Sequence, residues 1–125
     1  MSQSIFDSIP KAEGRPNHVV DIERFIGAPG SFTFREPKAA DLFPRPEVEK
    51  MLKIAFPEFP AQMLQILMIM ARCYVIQSGD GEINPARRFA QLARDRSDIY
   101  LYVVGEFAKA FPIDIEQAVD EVPND

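Results

Sequence analysis

Apolar and polar positions along the chain form two alternating runs followed by several helical repeats. Between His18 and Ile26, Val20 and Ile22 fall on one side of an extended chain, and Asp21 and Glu23 on the other. Gly27-Ala-Pro-Gly30 is a turn signal, after which Ser31–Glu36 alternates again and places Phe32 and Phe34 together. This pattern predicts a β-hairpin or two short strands. A lone hairpin is marginal in water, so its aromatic face is expected to pack on the helices that follow.

Pro37 closes the strand region, and Pro44 and Pro46 bracket the first helix start. From Pro46 to Phe56, Val48, Met51, Leu52 and Ala55 recur at i, i+3, i+4 and i+7, one helical face. Glu47 and Glu49 stand in its first turn with Lys50 and Lys53 later, the order favoured by the helix dipole. Phe56-Pro-Glu-Phe-Pro60 breaks the chain, and a second helix is expected from Pro60 to Gln77. That segment is apolar almost all round, with Gln62, Gln65 and Arg72 as a narrow polar strip, which marks a central core helix or an interface. Asn84-Pro85 is a capped helix start carrying Ala86, Phe89, Ala90 and Ala93 on one face. Ser97 restarts a helix on which Tyr100, Val103, Val104 and Phe107 repeat. Ile99–Val104 is also rich in β-branched and aromatic residues, so a strand is the competing expectation there. Asp114 with Gln117 reads as a capping box for a last short helix bearing Ile115 and Val119.

The expected fold is therefore mainly α: a compact four- to five-helix domain with a small N-terminal β-hairpin. Residues 1–17 read as a flexible arm, 18–122 as one domain and 123–125 as an acidic end.

Composition changes this picture little: 125 residues, 46% apolar and 26% charged, suffice for one buried core. Charge adds more. Fourteen Lys and Arg stand against nineteen Asp and Glu, a net charge of −5. Asp114, Glu116, Asp120, Glu121 and Asp125 carry that excess in a stretch free of Lys and Arg. Such an end does not suit a duplex nucleic-acid binder, so no nucleic-acid partner is expected. It also serves solubility. The start of the chain has no basic and apolar secretory pattern. The longest apolar stretch, Ala61–Ile76, is too short and too interrupted to span a bilayer. A soluble cytoplasmic protein without a membrane partner is expected.

Chemistry is sparse. His18, the one histidine, has no evident catalytic partner, and Cys73, the one cysteine, lies in an apolar run. Ser78-Gly79-Asp80-Gly81-Glu82-Ile83-Asn84 lacks the ligand spacing of a calcium loop and reads as a connection between helices. No phosphate-cradling motif occurs. Arg87, Arg88, Arg94 and Arg96 are interleaved with Asp95 and Asp98, the pattern of a solvated, ion-paired helix face. No enzyme, cofactor or metal site is expected. Met63, Met68 and Met70 stud the second helix and Met51 the helix before it. Methionine fills irregular cores and also makes adaptable surfaces for apolar partners.

Gly30-Ser-Phe-Thr-Phe-Arg-Glu-Pro-Lys-Ala-Ala-Asp-Leu42 resembles the N-terminal block of tail assembly chaperones of long-tailed bacteriophages and prophages. There a short strand ends in an Arg-Glu-Pro step and leads through Ala-Asp-Leu into helices. The resemblance covers about a dozen residues. It implies a protein that coats the long, apolar tape measure protein during tail assembly, helps recruit tail tube protein, self-associates, and works in the host cytoplasm. A structural virion component, such as a head–tail connector or minor tail protein, is the alternative. Phe56, Phe59, Met63, Leu67, Met70 and Tyr74, on or at the entrance of the most apolar helix, are the expected partner-binding residues. Arg35, Glu36 and Pro37 are expected to be structural, a strand exit with a local ion pair.

Overall fold

The computed structural model describes residues 4–10, 14–81 and 83–112. Alternation builds the hairpin: β1 (His18–Asp21) pairs antiparallel with β2 (Ser31–Phe34), His18 opposite Phe34 and Val20 opposite Phe32. The expected first strand is cut short at Asp21, because its carboxylate accepts a hydrogen bond from the Glu23 amide at 2.9 Å and turns the chain into a single helical turn, α2 (Glu23–Ile26). Gly27 closes that turn at φ 69°, a left-handed conformation that costs glycine nothing. A further single turn, α1 (Ile5–Ser8), precedes β1 and is capped by Ser4.

Four longer helices follow: α3 (Pro46–Ala55), α4 (Ala61–Cys73), α5 (Pro85–Asp95) and α6 (Ser97–Ala110). Short 3-10 turns at Ala39–Leu42 and Ser78–Asp80 lie in the connections. Pro46 and Pro85 stand in the first turns of their helices, and the Asn84 side chain accepts from the Arg87 amide. The competition over Ile99–Val104 is won by helix: Ile99, Tyr100, Val103 and Phe107 are buried at helical spacing. The fold is mainly α with an N-terminal two-stranded hairpin.

The second long helix ends earlier than its apolar pattern predicts. Residues 74–77 leave the helix because they complete the sheet: the Val75 amide donates to Thr33 and the Arg35 amide to Cys73, both at 2.8 Å. Phe34 and Tyr74 form an antiparallel bridge across this edge of β2. Apolar composition alone does not distinguish a helix's last turn from such an edge segment.

The face of the hairpin that carries Val20 and Phe34 lies on the helices. The Phe34 ring stands 5.9 Å from Tyr74, 5.9 Å from Phe89 and 5.2 Å from Phe107, joining β2 to α5 and α6. Leu64, Leu67 and Met70 of α4 complete the interior. Residues 4–10 and 14–17 are exposed, yet the chain is tied at Arg15, whose amide donates to Glu36 and whose guanidinium donates to the Ala110 carbonyl. The expected last helix around Asp114 and Gln117 lies outside the described residues. No helix among the described residues is long and apolar enough to cross a membrane.

Candidate protein-binding face

α4 presents apolar side chains on nearly every side, so the neighbours it meets decide which remain available. It packs against α3, α5, α6 and the turn at Ala39–Leu42. Leu67 and Met70 are fully buried between these elements and belong to the core. Both are expected partner-binding residues; in the single chain their side chains are packed into the interior. Phe56, also expected to bind a partner, is likewise buried in the single chain. Its ring stacks on Phe59 at 5.5 Å, and the Arg94 guanidinium covers it at 4.3 Å. Arg94 is held there by the Ala55 carbonyl and by Glu58.

Tyr74 is half-buried and serves a different place. Its hydroxyl donates to Asp80 at 2.6 Å, and its ring packs among Phe32, Phe34 and Phe89. Burial, then the Asp80 carboxylate, push its pKa above the ordinary tyrosine range. It closes the sheet edge and is not brought together with the start of α4.

Phe59 and Met63 remain half-buried. With Ile66 one turn beyond Met63, they form an accessible apolar flank of α4. On α3, Val48, Met51 and Ala55 are also half-buried and share one face, while Ile54 stands 72% exposed. α3 buries only Leu52 completely, so much of its apolar stripe lies at the rim of the core. The candidate face is this rim of α3 and α4.

The block Arg35–Leu42 forms a polar clasp at the C-terminal end of α4. Two guanidinium nitrogens of Arg35 donate to the Asp41 carboxylate at 2.7 and 2.9 Å, and one also donates to the Arg72 carbonyl. The Lys38 amide donates to Asp41 at 2.8 Å, and Arg72 donates to Ala40. The expected local ion pair of Arg35 is thus with Asp41 of the Ala-Asp-Leu stretch, whereas Glu36 faces Arg15. Only the opposite charges six residues apart hinted at this in the sequence.

His18 lines an open cleft of about 410 Å³ together with Arg15, Glu106, Lys109 and Phe111. Its ring meets Phe111 edge-on at 6.4 Å, and Glu106 is engaged by Lys109 at 3.4 Å. Cys73 is buried, and its pKa is raised to about 11 by burial first and by the nearby Asp41 carboxylate next, so the thiol stays protonated at neutral pH. Among the described residues no cluster of three or more His, Cys, Asp or Glu side chains is arranged to hold a metal ion. No family model matches the chain, and no curated protein or solved structure matches it either.

Proposed function

We propose that this protein is a non-catalytic tail assembly chaperone of a long-tailed phage or prophage. In the host cytoplasm it binds the tape measure protein, with tail tube protein as a second partner, and keeps the tape measure soluble while the tail is built. The observation that carries this reading is the half-buried rim of Val48, Met51, Ala55, Phe59, Met63 and Ile66. Adaptable methionine and aromatic side chains there sit on a frame whose described buried side-chain polar atoms are all hydrogen-bonded. Reversible cover by such a surface suits a long apolar chain that aggregates before assembly. The Arg35–Leu42 block supports the same reading through its resemblance to that family.

The test is co-expression with the tape measure gene of the same locus, measuring soluble tape measure protein. Soluble complex is expected with the native chain. It should drop to the level of tape measure alone with Met51→Glu and Met63→Glu, provided circular dichroism shows these variants folded. No gain in solubility with both chains well expressed would overturn the chaperone reading in favour of a retained virion component.

A further inference from the structure

Hydrogen-bond phase fixes which way each backbone group of β1 points. The Ile22 amide donates to Gly30, continuing the ladder in which Val20 opposes Phe32 and His18 opposes Phe34. In an antiparallel ladder alternate residues exchange bonds with the partner strand, so His18, Val20 and Ile22 face β2. Val19 and Asp21 therefore turn their amides and carbonyls to the other side. The far edge of β2 is closed by residues 73–75. Among the described residues, no strand pairs with the outer edge of β1. This edge has neither proline nor lysine nor bulge, the devices that commonly protect exposed strands. The Val19 side chain is 58% exposed on the sheet face opposite the core.

We propose that the outer edge of β1 is a self-association surface, on which β1 of a second copy pairs antiparallel about a two-fold axis at Val19. Four registers keep the outward residues in phase, and the one centred on His18 sets each exposed Val19 against a polar Asn17. Centring the axis on Asp21 sets two Asp21 carboxylates against each other, which destabilises the pair. Centring it on Val20 sets each Asp21 against a Val19. Centring it on Val19 pairs the two exposed valines and sets each Asp21 carboxylate opposite an Asn17 amide, which can donate to it. Only this register matches apolar with apolar and acceptor with donor, and an isologous two-fold interface repeats each match. The ladder is short, so the dimer is concentration-dependent. The resemblance implies self-association in general; the edge and the register rest on β1 alone, so loss of the tape measure interaction would leave them standing.

Cysteine pairing in the full chain tests both the edge and the register. Directly opposed residues lie about 5 Å apart at Cα, within disulfide reach, and the native Cys73 is buried. Val19→Cys is expected to give a covalent dimer on mild oxidation much faster than Leu101→Cys, an exposed control on α6. Mixing Asn17→Cys with Asp21→Cys should give the mixed dimer, while mixing Val19→Cys with Asp21→Cys should not. In sedimentation, the native chain should shift from monomer to dimer with concentration. Val19→Lys, at an exposed position, should raise the midpoint by about tenfold or more without altering the circular dichroism spectrum. A native chain that stays monomeric at every concentration would overturn the proposal. So would Val19→Cys cross-linking no faster than the control, or preferential cross-linking of Val19→Cys with Asp21→Cys.

Discussion

Asp41 is the one charged side chain fully buried among the described residues, at 5% exposure. Ionised carboxylates tolerate burial only when paired and hydrogen-bonded. Here the Arg35 side-chain bonds, foremost, hold its pKa down at about 2 against an opposing effect of burial, with the Lys38 amide and Arg72 assisting. A depressed folded-state pKa contributes stability above the unfolded value and loses it as pH falls through the folded value. The contribution of Asp41 is therefore complete above its ordinary value of 3.8 and disappears toward pH 2. Asp41→Asn is expected to cost about 2–3 kcal/mol at neutral pH, because it leaves Arg35 and the Lys38 amide poorly matched. Urea unfolding at pH 7, 4 and 2 checks this: the gap between native and variant should narrow between pH 4 and 2. At this scale the sequence was informative about residue type more than environment. Met63 and Met70 look alike along the apolar stretch, yet one is half-buried and the other fully buried, because the angular positions of α5 and α6 around α4 decide it.

Elements were legible wherever a stop or start signal was local. Pro46 and Asn84-Pro85 place the starts of α3 and α5 because proline geometry and an Asn cap act within one turn. The boundaries of β1 and α4 were not legible, because the Asp21 turn and the pairing of residues 73–75 with β2 depend on contacts made after folding. α6 shows the balance of local and tertiary preference most directly. It holds β-branched residues and a central Gly105, all unfavourable to helix, and is stabilised by burying Ile99, Tyr100, Val103 and Phe107. A Cβ on Gly105 would meet nothing within 4 Å. Gly105→Ala should therefore stabilise the protein by about 0.5–1 kcal/mol, seen as a higher urea midpoint with unchanged slope. Loss of stability instead would show that the glycine backbone is needed for a close approach.

In the whole molecule, Phe34 is the hub: completely buried, it contacts rings of the 74–77 edge, α5 and α6. Phe34→Ala is expected to cost about 3–5 kcal/mol through lost burial and a cavity at the junction. Near- and far-ultraviolet signals should still unfold together, since a single core is affected; a separate early loss of the aromatic signal would mean that the hairpin melts by itself.

The closure of β2 by residues 73–75 has a consequence for biosynthesis. The hairpin is complete in sequence at Phe34, but the strand edge that seals it is translated about forty residues later. A two-stranded hairpin has little stability of its own. On the ribosome, residues 18–34 therefore emerge with Phe32 and Phe34 uncovered and wait until Val75 and the rings of α5 and α6 are made. Synthesis must pass the end of α6 before the hairpin becomes durable, so a ribosome stalled within α4 would present the hairpin's aromatic face to the cell's own chaperones.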